Sequence, residues 1–476
     1  MSVDLEDVQG LLRGYGRSFD RARHFVVGIG DAMGARAFVG VVADAESGGP
    51  VVTSLAARKQ RPHTCLNIAI TWHGLNALGV PAGVLAQFPP AFQQGPAVRA
   101  QPDPAKPQSV GLGDVGESAP ETWVMGGPNN PDVHLIVSLY AQGRARLEDA
   151  SKALRAQLGA HRLTEHSHHD AQALPAAEGK GRVHFGYRDG IAQPSIAGFP
   201  PGAPDLQPEM PTGDVLLGCD YENSFGGNYA GDLPGELVDN AMYGAFRILY
   251  QDVAAFEQLL RDWGQAASAD PEVIAAKIMG RWRSGAPLVL APDISNPNPP
   301  WPDDELDAFD YAPGEDHPAF YDDARGLRCP IGAHVRRLNP RGAPVMGKSH
   351  SRRLVRRNMP YGPELPPGAP DDGVDRGLVG YFLCGDLEAQ WEFIQAAWVN
   401  QDLATHGVRG TREPIGGAQP KGGGTFTIPT ADAPRQIVLR GLPNLVRTRG
   451  SAYCLLPGMG GLRYLASLSG PNGGTP

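Results

Sequence analysis

Hydrophobic and polar positions change their period several times along this chain, and the changes come in the same order in its two halves. In the first half, His24–Ile29 is an apolar run that predicts a strand, and the alanine-rich stretch Ala32–Val39 predicts a helix. Leu66–Trp72 alternates apolar and polar residues as a half-buried strand does, and Val133–Leu139 is a further apolar strand. Leu147, Ala150, Leu154 and Leu158 then recur at helical spacing, with Gly159 placed to cap the helix, and His161–Glu165 completes the set.

In the second half, Tyr243–Leu249 predicts a strand, and Val253, Phe256, Leu260 and Trp263 form one helical face behind the N-cap Asp252. Leu378–Leu383 is another strand, followed by the cap Asp386 and the apolar helical face Leu387, Trp391, Ile394 and Trp398. This is the ferredoxin-like order used twice. The expectation is an α+β protein of two ferredoxin-like units, antiparallel sheets covered by helices, spanning 1–180 and 181–476. The proline-rich stretches Phe88–Pro107, Gly198–Pro211 and Asn296–Pro302 predict connecting loops, of the kind that shape a cavity mouth or a subunit contact.

Composition narrows the function classes. An apolar fraction of 41% and a charged fraction of 20% are those of a water-soluble globular protein. A net charge of −9 without a long basic stripe argues against a nucleic-acid partner. No run approaches the ~18 apolar residues of a membrane span, and the acidic start Met1–Asp7 has no apolar leader core, so no membrane partner and a cytoplasmic location are expected. Five scattered cysteines (Cys65, Cys219, Cys329, Cys384, Cys454) suit reduced thiols, and no C-x-x-C-H is present to attach a haem covalently.

Three segments carry the chemistry. Cys329–Arg341 places His334 in a cationic setting broken by Pro330 and Gly332. Phe185–Pro194 sets Asp189 beside Gly186 and Gly190, and Val355–Gly362 carries Arg356, Arg357 and Asn358. An imidazole, a carboxylate and a guanidinium are a ligand for iron, a proton shuttle and a stabiliser of developing negative charge. If Val355–Gly362 is extended, Arg356 and Arg357 face opposite sides and Asn358 shares the face of Arg356. A nearby guanidinium is expected to keep Asp189 ionised. Each segment also has a plain alternative: a buried histidine bonded to a carbonyl, an Asp-Gly turn, and a solvated arginine cluster.

Together these segments resemble the dye-decolourising peroxidase family, on its larger, fungal-like branch. The family's G-x-x-D-G pattern is met by Gly186, Asp189 and Gly190, its A-H-[IV]-R-x-x-N-P-R pattern by Ala333–Arg341, and its R-x-[NG]-x-x-Y-G pattern by Arg356–Gly362. Gly280-Arg281-Trp282, Gly285-Ala286-Pro287 and Arg449–Cys454 look like further landmarks.

The resemblance implies two ferredoxin-like units in a dimeric α+β barrel, with non-covalent haem (heme b, iron protoporphyrin IX) in the C-terminal unit. It implies His334 as the iron ligand, Asp189 as distal acid–base and Arg356 as charge stabiliser. Gly190, Arg336 and Asn358 are the further cofactor-binding candidates. Arg336 could pair a propionate or form a structural salt bridge, and Glu392 is the candidate acceptor behind His334. The implied reaction uses hydrogen peroxide to oxidise organic donors such as dyes and phenolics through an oxyferryl porphyrin radical, with a homo-oligomer possible. Trp391, Trp398, Tyr381 and Tyr453 could relay electrons or simply be core.

Two other functions fit parts of the sequence. The same pocket could belong to a haem-binding or haem-delivery protein. The Gly28-x-Gly30-x-x-x-Gly34 run is reminiscent of a dinucleotide loop, but it is one residue too wide and Asp44 follows too early, so it reads as a turn. His166-Ser167-His168-His169-Asp170 could bind a metal but reads better as a polar loop, and Lys421–Thr425 as a hairpin without P-loop spacing.

Overall fold

The computed structural model describes residues 3–469 except 45–48, 61, 99–107, 176–180, 200–206, 219–221, 225–229, 293–304, 313–322, 344–348, 404–407 and 433–435. The loop expected over Asn296–Pro302 and the thiol of Cys219 lie outside the described residues. Ten strands run in chain order. The first four are β1 (Arg21–Ile29), β2 (Thr64–Ile70), β3 (Leu135–Ala141) and β4 (Leu163–Gln172). Then come β5 (Met242–Gln251), β6 (Val355–Tyr361), β7 (Gly377–Cys384), β8 (Gly424–Pro429), β9 (Gln436–Leu442) and β10 (Val446–Leu456).

Eight of them form one antiparallel sheet in the order β4-β1-β3-β2-β10-β5-β7-β6. Each half of that list is the ferredoxin-like order, so the twofold repetition predicted from the periodicity is present. Within the sheet the halves are joined by a single ladder pair between β10 and β2, Leu455 opposite Ile70. The outer strands β4 and β6 lie against each other without a ladder, which curls the sheet toward a barrel. β8 and β9 make a separate hairpin inserted before the last strand.

Both faces of the sheet are covered. Phe25, Val27, Leu66 and Val137 pack outward under the helices Ala32–Ala43 and Arg144–Ala160, while Ala22, Val26, Ile136, Phe246 and Tyr381 fill the inner face. Leu66–Trp72 therefore differs from the half-buried strand expected: β2 is buried from Cys65 to Ile70. Its polar member Asn67 is buried too, accepting from Tyr15 Oη at 2.6 Å and donating to Gln9.

The caps behave as expected: Asp252 accepts from the Ala255 amide and Asp386 from the Ala389 amide. Behind Asp386, however, the chain winds as π-helix from Leu387 to Val399, interrupted at Phe393. Leu387, Trp391, Ile394 and Trp398 are still all buried.

Four local expectations are corrected. His166–Asp170 is part of β4 rather than a loop, because Asp170 is drawn onto β1 by Arg23 Nε at 2.6 Å and Glu165 is held by Arg155. Gly28 lies inside β1 rather than in a turn, and a Cβ there would sit 2.2 Å from the His166 ring. Phe88–Pro107 contains the helix Pro90–Val98. The Lys421 run leads into β8, while the β8–β9 turn lies further on.

One buried ion pair ties the halves together. Arg247 on β5 (2% exposed) donates to both carboxylate oxygens of Asp114 (3% exposed) at 2.8 Å, and Thr448 on β10 joins them. Removing one partner leaves an uncompensated charge in the interior. Asp114→Ala is therefore expected to cost about 3–5 kcal/mol, seen as a lower urea midpoint with an unchanged far-ultraviolet spectrum.

Candidate functional site

His334 opens a one-turn helix, His334–Leu338, that the preceding turn holds in place. The Ala333 amide donates to Pro330 O at 2.9 Å, and buried Asp323 accepts from the amides of Arg328 and Cys329 at 3.0 and 2.9 Å. Arg336, one of the expected cofactor-binding residues, completes this brace. Its guanidinium reaches Asp323 Oδ2 at 2.9 Å and Cys329 O at 2.7 Å and lies over the Tyr311 ring. Of the two roles open to it, the salt bridge is present, with both terminal nitrogens engaged inside the turn.

The imidazole Nδ1 of His334 lies 2.9 Å from Glu413 Oε1, and Glu413 is fully buried. Burial works against ionising Glu413. The His334 ring and the amides of Ile415 and Gly416 outweigh it and hold the carboxyl below its ordinary value. A carboxylate can only accept, so His334 donates from Nδ1, and in the neutral imidazole Nε2 on the partly exposed ring carries the lone pair. That is the arrangement by which a protein orients an imidazole toward a metal.

Glu392, the acceptor expected from the sequence, instead accepts from Tyr453 Oη at 3.0 Å. Glu413 was not legible: it stands 79 residues from His334, with no spacing rule connecting them. The one hint is its Pro-Ile-Gly-Gly sequel, whose amides fold back onto the carboxylate.

Asp189 and Arg356 come together from different parts of the chain, close enough for each to feel the other's charge. Both residues keep accessible surface. Burial pushes the Asp189 carboxyl up; the Gly190 amide, Arg356 and Arg357 offset this only in part. Arg356 acts in the direction expected, favouring the ionised form of Asp189, but burial is the larger effect and leaves the carboxyl above its ordinary value. Burial also lowers Arg356, against the pull of Asp189 and Asp307.

Strand β6 sorts its neighbours as the extended geometry predicts. Arg357 turns to the opposite face and donates to the carbonyls of Leu11 and Leu12. Asn358 shares the face of Arg356, and its buried Nδ2 has no partner among the described residues. At Gly190, with φ +77°, a Cβ would meet nothing within 4 Å.

A free imidazole nitrogen backed by a carboxylate, an unpartnered amide donor and open space beside Gly190 fit an iron porphyrin. Trp391, Trp398, Tyr381 and Tyr453 are buried in the core. Among the described residues no cluster of histidine, cysteine and acidic side chains could hold a bare metal ion, the β4 histidines included.

No protein-family model matches the chain. Curated relatives do. Peroxidase 2 of Mycetinis scorodonius is 28% identical over 366 residues, covering 74% of this chain and 65% of its own length. A dye-decolorizing peroxidase of Mycena epipterygia is 28% identical over 359 residues, covering 73% and 63%. The chain therefore spans just under two thirds of these relatives. The multifunctional dye peroxidase of Amycolatopsis is 27% identical over 483 residues, 94% of this chain and 92% of that protein.

Solved structures of dye-decolorizing peroxidases share the fold. One in complex with 2,6-dimethoxyphenol superposes with a TM-score of 0.78 at 24% identity, covering 98% of this chain and 100% of that one. An ancestral D-type enzyme gives 0.79 at 24% identity.

Glu413→Ala is expected to destabilise the cofactor-free protein by about 1–3 kcal/mol for each buried donor it orphans, read as a fall in thermal midpoint. Glu413→Gln, which keeps an acceptor oxygen, is expected to fall less.

Proposed function

We propose that this chain, a relative of the dye-decolourising peroxidases of the fungal-like branch, is a haem peroxidase that uses hydrogen peroxide to oxidise organic donors. The observation that carries the proposal is the His334–Glu413 pair, an imidazole whose Nδ1 faces a buried carboxylate, which leaves Nε2 as the nitrogen that would hold iron. Bound haem would supply the redox-active iron, with His334 as its ligand. Non-covalent haem b is supported by the lack of a C-x-x-C-H motif.

Asp189 would accept the proton of the incoming peroxide and return it to the departing oxygen. Arg356 would stabilise the negative charge that develops between them. Asn358 Nδ2 would donate to peroxide or water on the same face. Gly190 would leave room for the flat ring beside Asp189.

Phenolic donors are suggested by the 2,6-dimethoxyphenol in the related structure. A cytoplasmic location suits four buried, unpaired thiols. Among the described residues no helix is long and apolar enough to cross a membrane.

The test is absorption spectroscopy with rapid mixing. The haem-loaded protein should show a Soret band that changes at once with stoichiometric peroxide, and His334→Ala should lose or shift that band. Slow bleaching would instead point to a haem carrier.

The pH profile follows from Asp189. Its carboxyl is raised, so it becomes protonated, and useless as a base, at higher pH than an ordinary aspartate. The rate of reaction with peroxide should fall on acidification through that raised value. Arg356→Leu removes a cation that lowers it, so the acid limb should move to still higher pH. Asp189→Asn should abolish the limb and cost about 10²–10⁴-fold in rate.

A further inference from the structure

The proposed acid and cation sit on segments more than 160 residues apart, and one side chain joins them. Gln193 Nε2 donates to Arg356 O at 3.1 Å, and Gln193 Oε1 accepts from Arg356 N at 3.2 Å. Strand β6 ends the sheet and, among the described residues, pairs only with β7, so the other side of Arg356 presents its N–H and C=O away from the ladder, the C=O also accepting from Arg357 Nη1 at 2.8 Å. The Gln193 amide fills that position as the backbone of a further strand would. The adjacent Ala192 carbonyl then accepts from the Arg356 guanidinium itself, fixing where the cation points.

The other end of the loop is anchored separately. The Asp189 amide donates to Gly181 O at 2.9 Å and the Arg188 amide to Arg283 O at 3.0 Å. Asp189 and Arg356 are therefore linked by four residues of loop, through the Gln193 amide on the Arg356 backbone and the Ala192 carbonyl on its guanidinium. A single glutamine bonding both polar groups of one edge residue is more specific than the contacts a surface loop ordinarily makes.

We propose that Gln193 is a positioning residue that holds Arg356 in register with Asp189 and thereby tunes the acid–base behaviour of that carboxylate. The inference rests on the peroxidase reading above and deepens it. The charges acting on Asp189 are Arg356 and Arg357, both on β6, and Asp307 acts on Arg356 from the turn Glu305–Asp307. Slackening the clamp takes Arg356 away from Asp189 and leaves burial less opposed. The expected consequence is a shift of the acid limb toward higher pH, in the direction of Arg356→Leu.

The experiment compares haem-loaded wild type, Gln193→Ala, the near-isosteric Gln193→Met, Arg356→Leu and the double variant Gln193→Met/Arg356→Leu. Three quantities are read: the pH dependence of the peroxide reaction rate, haem content, and amide hydrogen exchange of the peptide containing Arg356 in cofactor-free protein. The expected result is faster exchange at Arg356, full haem content, and an acid limb moved toward higher pH with a rate loss of roughly tenfold. The double variant should show no shift beyond that of Arg356→Leu alone, because the two changes act through one contact.

A wild-type limb in both Gln193 variants, or a shift that adds fully to that of Arg356→Leu, overturns the proposal. A structural role alone would lower stability or haem content without moving the limb, and this also overturns it. A wild-type protein that gives no rapid spectral change with peroxide, or whose limb survives Asp189→Asn, overturns the peroxidase reading instead, so the two failures are told apart.

Discussion

Burying a carboxylate is costly unless its oxygens are satisfied, and the way Glu413 meets that constraint organises the candidate centre. Two amides from its own loop and the His334 ring share its oxygens, while its backbone amide is pinned to Val399 O at the end of the π-helix. Arg337, also fully buried, links the His334 helix to the same region through Gln401 O and both oxygens of Thr411. The imidazole is thus held in place by a framework reaching from the His334 helix to the end of the π-helix.

The pair Asp189 and Arg356 rests on a different principle: burial raises the carboxyl and lowers the guanidinium against their mutual attraction. A base with a raised pKa is better matched to proton transfer near neutrality than an ordinary aspartate, provided it stays partly ionised. The cation therefore has two tasks: stabilising charge on the reactants and restraining how far burial can push its neighbour. Their relative placement matters as much as their identity.

Much of the fold was legible because its signals are local. Asp252 and Asp386 announce helix starts, and the apolar runs that became β1, β3, β5 and β7 are long enough to predict strands without tertiary help. The strand β4 was half missed because its histidine-rich end is polar. It is held in the sheet by Arg23 and Arg155, partners that sequence distance hides. The misreading of β2 has a related cause: Asn67 looks solvent-facing, yet Tyr15 and Gln9 satisfy it in the interior. His334, Asp189 and Arg356 could be picked out from their motifs. Glu413 could not, since its role depends on a loop closing over 79 residues, and the brace role of Arg336 depends on Asp323 in the same way.

The central claim is that Glu413 makes His334 a strongly donating ligand to haem iron, and the iron–nitrogen stretching vibration of the ferrous protein tests it most directly. A carboxylate on Nδ1 strengthens the bond from Nε2, so the band should be present in wild type, fall in frequency in Glu413→Gln, and vanish in His334→Ala. A band unmoved by Glu413→Gln, or one that persists without His334, would contradict the account.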